Sequence, residues 1–373
     1  MLTKFRVSNF KSFQENFEID FTKVNKYDFN QECIRDNCIN NAIVYGKNGV
    51  GKSNLGFAIF DIIEHLTDKK KSELAEDYYI NAYSSVNYAE FYYEFLIDNQ
   101  KVTYTYRKDE YGTLLYEDFS INNRQLAFIN KKESYKAIIK FKGAETLNNN
   151  LETNTALSLL KYIKNNAVLE KDTTNTTFKN FMIFVDRMLF FRSLKDNKYI
   201  GFDIKEGSII DDIIKRKHVG DFQRFLNEAG VECELTVVDG VLTDKVLVFD
   251  FDGKMIPFEE IASTGTLSLT LFYAWFQDIR EKGKVSFLFI DEFDAFYHFE
   301  LSKFIVEELK ETGVQFVLTT HNTSIMTNDL LRPDCYFIMN KERMVSLANA
   351  TDKELREAHN LEKIYKSNGF GLK

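Results

Sequence analysis

The chain reads as an α/β protein whose core is interrupted by inserted segments, and three observations predict this. Gly46-Lys47-Asn48-Gly49-Val50-Gly51-Lys52-Ser53 spells the P-loop pattern between an apolar strand and an amphipathic helix. The last third alternates short apolar strands with helices, which is the signature of a parallel sheet. Between these halves, residues 90–129 alternate with period two and the stretch after them follows helical spacing.

Taken in order, Leu2-Thr3-Lys4-Phe5-Arg6-Val7 alternates as a strand and Glu18-Ile19-Asp20-Phe21 alternates again, so a small β-layer is expected beside the loop. Ala42-Ile43-Val44-Tyr45 is the strand that leads into the P-loop. Leu55, Ala58, Ile59, Ile62, Ile63 and Leu66 give the following helix one apolar face. Phe91, Tyr93, Phe95 and Ile97, then Val102, Tyr104 and Tyr106, alternate with their neighbours across the turn Asp98-Asn99-Gln100, as in an antiparallel meander. Helices are expected over 155–165, 178–189, 211–217 and 221–229, with the polar run 172–177 as a loop. Strands return at 235–238 and 245–249. A strand at 286–290, a helix at 301–309 and strands at 314–318 and 335–339 complete the core. The expected organisation is a first half of the core with P-loop and meander over 1–129, a helical insertion lobe over 130–232, and a second half over 233–373.

Composition narrows the setting. Hydrophobic residues make up 44% of the chain, with 35 Phe and 19 Tyr, enough for a large core. No stretch approaches the ~20 apolar residues of a membrane span, and Met1-Leu2-Thr3-Lys4-Phe5-Arg6 lacks the apolar segment of a secretion signal. A cytoplasmic protein with no membrane partner is expected. The four cysteines form no C-x-x-C pair, and Cys33 with Cys38 reads as buried or incidental thiols rather than a metal or disulfide pair. The net charge of −8 argues against a generally nucleic-acid-coated surface. Lys69-Lys70-Lys71, Lys131-Lys132 and Lys215-Arg216-Lys217-His218 read as solvated helix ends or loops. Nucleic acid stays open as a partner, because only the contacting face must be positive.

The chemistry sits in a few short motifs. In the P-loop, Gly46, Gly49 and Gly51, with Asn48 between them, let backbone N–H groups turn inward around phosphate oxygens at a helix N-terminus. Lys52 can reach the β- and γ-phosphates, and the Ser53 hydroxyl can ligate Mg²⁺. Phe287-Leu288-Phe289-Ile290-Asp291-Glu292 ends a buried strand in two carboxylates: Asp291 to hold the metal, Glu292 to take a proton from the attacking water. Lys52 and Asp291 lie more than half the chain apart, which requires an insertion within the core. Ser263-Thr264-Gly265 opens a helix whose face carries Leu267, Leu271, Trp275 and Ile279; Ser263 reads either as an anion contact or as an ordinary N-cap. Phe316-Val317-Leu318-Thr319-Thr320-His321 ends the next strand, where His321 could sense a γ-phosphate.

P-loop, Ser-x-Gly helix, Asp-Glu strand end and downstream His stand in the order of ABC-type ATPase heads, and the chain resembles the SMC/RecF/OLD branch of that group. Phe5-Arg6-Val7-Ser8-Asn9-Phe10-Lys11-Ser12-Phe13 is similar to the N-terminal strand and loop of the branch, which implies that Lys11 and Ser12 lie against the nucleotide. The resemblance implies a P-loop ABC-type ATPase head, a mixed β-sheet core with an antiparallel β layer, plus a helical insertion lobe. It also implies slow hydrolysis of ATP with Mg²⁺ by a homo-oligomer. Two subunits would clamp two ATP molecules, with Ser263 and Gly265 of one reaching the γ-phosphate held by Lys52 of the other, and Asp294 near the seam.

Asp291-Glu292-Phe293-Asp294-Ala295-Phe296-Tyr297-His298, Thr319-Thr320-His321-Asn322-Thr323-Ser324, Leu331-Arg332-Pro333-Asp334 and Arg356-Glu357-Ala358-His359-Asn360-Leu361 resemble bacterial AAA-type abortive-infection ATPases, RloA/AbiL-like and OLD-like. The resemblance covers most of the chain. It implies an antiphage sensor or switch that controls a separately encoded effector protein. The chain departs from the wider branch in three ways: Ser-Thr-Gly-Thr replaces the Ser-Gly-Gly of transporters, there is no room for a long coiled coil, and no carboxylate-rich nuclease lobe follows residue 340. Two other readings stay open, a RecF-like DNA-repair ATPase and a nucleotide-stabilised scaffold with little turnover.

Overall fold

The computed structural model describes residues 1–69, 78–151, 157–192, 199–200, 209–240, 245–295 and 299–371. The chain begins with β1 (Leu2–Ser8), β2 (Phe17–Asp20), the short pair β3 (Ile34–Arg35) and β4 (Cys38–Ile39), then β5 (Asn41–Gly46) and α1 (Lys52–Leu66). The meander follows as β6 (Ala89–Ile97), β7 (Gln100–Lys108), β8 (Leu114–Ile121), β9 (Arg124–Asn130) and β10 (Ser134–Ile139). Next come α2 (Leu159–Asn166), α3 (Thr173–Asp186), β11 (Met188–Arg192), β12 (Tyr199–Ile200), α4 (Ile209–Lys215) and α5 (Val219–Glu228). Then stand β13 (Leu235–Asp239), β14 (Lys245–Phe251), β15 (Lys254–Pro257), α6 (Phe258–Ile261) and α7 (Thr264–Arg280). The chain closes with β16 (Phe287–Asp291), α8 (Phe299–Glu311), β17 (Gln315–Thr320), β18 (Tyr336–Met339), β19 (Met344–Ser346) and α9 (Leu361–Lys366).

Two seven-stranded sheets organise these elements. One is mixed, in the order β12-β11-β16-β17-β5-β18-β19, with the five central strands parallel and an antiparallel strand at each edge. β5, β16, β17 and β18 are buried at every residue, as expected of parallel strands covered on both faces. The other sheet is antiparallel, in the order β10-β9-β8-β7-β6-β1-β2. Along β6 buried and half-buried residues alternate, so Phe91, Tyr93 and Phe95 point inward while Tyr92 and Glu94 face out. β13, β14 and β15 make a separate three-stranded antiparallel sheet.

The P-loop helix α1 lies between the two large sheets and is buried on more than one face. Phe57 and Phe60 pack on Phe190, Phe287 and Phe289 of the mixed sheet. On the other side the Tyr93 hydroxyl donates to the Ala58 and Ile59 carbonyls at 3.0 and 3.2 Å. Asp61 points the same way and accepts from Tyr79 and Tyr106 at 2.8 Å and from Lys108 at 3.1 Å. Burial works against the charge on Lys108, but Asp61 and Glu64 outweigh it and hold its pKa above the ordinary value. Gly56 allows the close approach to the mixed sheet: an added Cβ would stand 2.7 Å from Phe190 Cε2 and 2.8 Å from Phe289 Cε1. Gly56→Ala gains ~1 kcal/mol of helix propensity and overpacks two core rings at a cost of ~1–3 kcal/mol. Rings wedged in a core cannot retreat, so a net loss of stability is expected, read as a lower urea midpoint at unchanged slope.

The segment expected as a helical lobe, 130–232, is not purely helical. β10 adds a further strand to the meander, and β11 enters the mixed sheet parallel to β16. The helix expected over 178–189 stops at Asp186, and Leu189 stands in β11. The run Met188-Leu189-Phe190-Phe191 is apolar at every position, which suits a strand covered on both faces. The polar run expected as a loop over 172–177 forms the start of α3. Asp172 caps it by accepting the Asn175 N–H at 2.7 Å, and the buried Asn175 amide donates to the Lys142 and Glu170 carbonyls. The layer that the opening strands join is larger than expected: β1 and β2 form one edge of the seven-stranded antiparallel sheet. On α7, Leu271, Trp275 and Ile279 are buried as expected, but Leu267 is 41% exposed.

All four cysteines are free, and Cys33, Cys38 and Cys335 are buried; burial pushes the Cys38 thiol up to about 12. Among the described residues, no helix is long and apolar enough to cross a membrane. Residues 155–156 of one expected helix, Lys70 and Lys71 of a basic cluster, and Phe296-Tyr297-His298 lie outside the described residues.

Candidate functional site

Parallel registry brings the distant motifs together. β16, β17 and β5 are neighbours, with Ile290 opposite Leu318 and Thr320 opposite Tyr45. Their C-terminal ends therefore reach one edge of the sheet. Asp291 and Glu292 leave β16 there, His321 leaves β17, and the P-loop leaves β5, at the place where open α/β sheets bind ligands.

In the loop, Gly49 and Gly51 have φ of 76° and 106°, the left-handed region in which L side chains are strained. A Cβ on Gly51 would also collide with the Ser12 hydroxyl, and one on Gly46 would stand 2.8 Å from the Met339 carbonyl. Lys47, Asn48 and Gly49 are exposed at the rim. The Lys52 ammonium, on a residue only 6% exposed, donates to the Gly46 carbonyl at 2.9 Å and the Lys47 carbonyl at 3.3 Å. It also lies 2.8 Å from His321 Nε2. Burial lowers the Lys52 pKa, with Glu292 and Asp291 pulling the other way. His321 is lowered too, first by partial burial and then by the Lys52 charge, which favours the neutral imidazole. Ser53 is half-buried in the first turn of α1.

Ser12 lies at this loop, accepting from the Asn54 amide at 2.9 Å. Lys11 has a φ of 46°, and its turn is clipped down by Tyr79 and Asn81: the Lys11 N–H donates to the Tyr79 carbonyl at 3.0 Å, and the Asn81 amide donates to the Lys11 carbonyl at 2.6 Å. The Lys11 ammonium stands 5.6 Å from the Phe10 ring and 5.9 Å from that of Phe57 on α1. The opening motif thus packs onto the P-loop and its helix.

Asp291 is fully buried and accepts from the Thr319 hydroxyl at 2.7 Å. Glu292 is half-buried with a φ of 50°. Asp294 accepts from the Thr320 hydroxyl at 2.7 and 2.8 Å, and burial raises its pKa. Sequence reasoning did not single out Thr319, Thr320 or Asn54. The signal for the threonines was two consecutive hydroxyl residues closing an otherwise apolar strand.

Ser263 caps α7, accepting the Thr266 N–H at 3.1 Å and pairing with the Thr266 hydroxyl at 2.9 Å. Gly265 sits in the same turn. The chain therefore gathers Lys52, His321, Asp291 and Glu292 with Ser12 beside the loop, and leaves Ser263 and Gly265 outside that hydrogen-bonded cluster.

The donor set fits a nucleoside triphosphate with Mg²⁺. Gly49 and Gly51 give the loop the left-handed backbone it needs, an ammonium lies beneath it, and a hydroxyl and a buried carboxylate supply hard oxygen donors. Mg²⁺ is ordinarily held by one or two such protein groups together with the substrate phosphates.

A family profile, "AAA domain, putative AbiEii toxin, Type IV TA system", matches residues 42–327, well over half of the chain. No curated protein matches the sequence. Similar solved structures include an Smc head domain with a coiled coil and joint from Pyrococcus yayanosii, at 14% identity and a TM-score of 0.49 over 100% of this chain and 99% of that one. The SMC head domain from Thermotoga maritima is 16% identical, with a TM-score of 0.45 over 92% and 98%. The recombination mediator RecF with ATP is 16% identical, with a TM-score of 0.42 over 93% and 99%. With its P-loop, carboxylate strand end and strand order as described, the chain belongs to the AAA-domain family that this profile defines and is an ATPase domain.

Proposed function

We propose that the protein is an ATP-driven switch that dimerises around ATP, parts on slow hydrolysis, and controls a separately encoded effector in bacterial antiphage defence. The observation that carries this reading is the meeting of Lys52 and His321 at 2.8 Å beside Asp291 and Glu292, at the shared edge of β5, β16 and β17. Lys52 would neutralise the β- and γ-phosphates, and Ser53 with Asp291 would hold Mg²⁺. Mg²⁺ held there would supply electrostatic stabilisation of the charge that develops on the phosphates. Glu292 would accept a proton from the attacking water, and His321 would contact the γ-phosphate.

Dimerisation is supported by the N-terminus of α7. Ser263 is exposed there, flanked by Ile261 and Leu267, two apolar side chains that remain 47% and 41% exposed. In a sandwich these residues, with Gly265, would meet the nucleotide held by the second copy. The defence role is supported by the family description, which names a toxin–antitoxin system.

Light scattering on Glu292→Gln with and without ATP tests the switch, and the expected result is a dimer that forms only with ATP. Phage challenge of a host carrying the whole system with Lys52→Ala tests the role, with loss of protection expected. A strictly monomeric Glu292→Gln protein at saturating ATP rules out the dimer switch, and intact protection with Lys52→Ala rules out the defence reading. ATP-dependent gel shifts with duplex DNA, and a steep salt slope, would instead support a DNA-repair ATPase.

A further inference from the structure

Thr319 holds three consecutive residues of the carboxylate turn. Its hydroxyl donates to Asp291 Oδ1 at 2.7 Å and accepts the Glu292 N–H at 2.8 Å, while its carbonyl accepts the Phe293 N–H at 3.1 Å. The residue is completely buried in β17, the strand next to β16. A hydroxyl has one proton, so giving it to Asp291 leaves only lone pairs to face Glu292, and the two bonds fix each other's direction. Glu292 also sits in the left-handed region, at a φ of 50°. A non-glycine residue stays there only when its surroundings over-determine it. Two bonds from one buried neighbour, on either side of the Glu292 peptide, supply that constraint.

We propose that Thr319 is a positioning residue for hydrolysis, orienting the metal carboxylate of Asp291 and setting the turn from which Glu292 projects. This rests on the ATPase reading of the site. Thr319 acts through Asp291 and Glu292 and need not touch nucleotide. Its neighbour Thr320 binds a different carboxylate, Asp294, and uses its lone pair on the Asn322 N–H at 2.8 Å. The two hydroxyls therefore hold separate parts of the turn, and Thr320 cannot stand in for Thr319 at Asp291.

The test compares Thr319→Val, which keeps the branched shape and removes the hydroxyl, with Thr319→Ser, which keeps the hydroxyl. Loss of a group that orients a metal ligand typically costs about 10–100-fold in metal affinity or activity. In Thr319→Val, kcat is expected to fall by that factor, and the Mg²⁺ concentration for half-maximal turnover to rise by at least several-fold, while KM for ATP changes little. Thr319→Ser is expected to stay close to wild type in all three. Mn²⁺ binding in the presence of ADP, followed by electron paramagnetic resonance, gives a readout without turnover, and weaker binding is expected for Val but not for Ser. Urea melts identify the folded fraction of each variant. A folded Thr319→Val protein with wild-type kcat and wild-type Mg²⁺ and Mn²⁺ dependence overturns the proposal, as does a Ser variant as impaired as Val. If wild type itself released no phosphate, the ATPase reading would fall, and the Mn²⁺ titrations would still decide whether Thr319 orients Asp291.

Discussion

Glu292→Gln is expected to lower ATP turnover by about 10²–10⁴-fold, the range a positioned general base contributes, while leaving nucleotide binding nearly intact. The amide preserves the size of the side chain and cannot accept the water proton. Its neighbour Asp291 keeps its bond to Thr319. Lys52→Ala should fail differently. The Lys52 ammonium is buried beneath the loop and bonded to the Gly46 and Lys47 carbonyls, so its removal takes away the proposed phosphate contact together with a brace of the loop. Titration with a fluorescent ATP analogue, alongside phosphate release, separates the two losses. Wild-type phosphate release from Glu292→Gln would remove Glu292 from the base role.

Asp334→Ala is expected to cost about 3–5 kcal/mol of folding stability, the usual penalty for stranding one member of a buried ion pair. Arg332 Nε and Nη2 donate to the two Asp334 oxygens at 2.8 and 2.9 Å, with Arg332 3% exposed and Asp334 wholly buried. The pair also anchors the segment after β2. Asp334 accepts the Asn25 N–H at 3.0 Å, Arg332 donates to the Asn25 carbonyl, and its guanidinium lies 5.1 Å from the Tyr27 ring. The double variant Arg332→Met/Asp334→Leu should lose less than Asp334→Ala alone, because it leaves no uncompensated buried charge. Urea denaturation of the three proteins measures both effects. Equal losses in the single and double variants would mean that the pair acts through packing rather than charge.

The contrast between those two sites shows where the sequence was readable. The carboxylates of Asp291-Glu292 follow a four-residue apolar strand, and the P-loop is a run of closely spaced glycines between strand and helix; both are local patterns. The meander was legible for the same reason, since its period of two is visible over each hairpin. Leu331-Arg332-Pro333-Asp334 carries part of the resemblance drawn from the sequence, but nothing in its four residues indicates that the ion pair faces Asn25 and Tyr27, far back along the chain. β11 was misread because 178–189 keeps helical spacing across a boundary that the neighbouring strand β16 imposes. The loop expected at 172–177 became helix because Asp172 caps it and the Asn175 amide finds carbonyl partners in nearby Glu170 and in Lys142, 33 residues earlier.

By itself the sequence determined the phosphate loop, the carboxylate strand end, the meander and the α/β character of the last third. These depend on glycine conformation, side-chain alternation and the length of apolar runs, all set within a few residues. Only the tertiary structure decided that β17 lies between β16 and β5, that α1 is held between two sheets, and that Thr319 braces Asp291 and Glu292. Strand order and register are set by which buried surfaces fit one another across the whole chain, and a hydroxyl's partner is known only once two strands lie side by side.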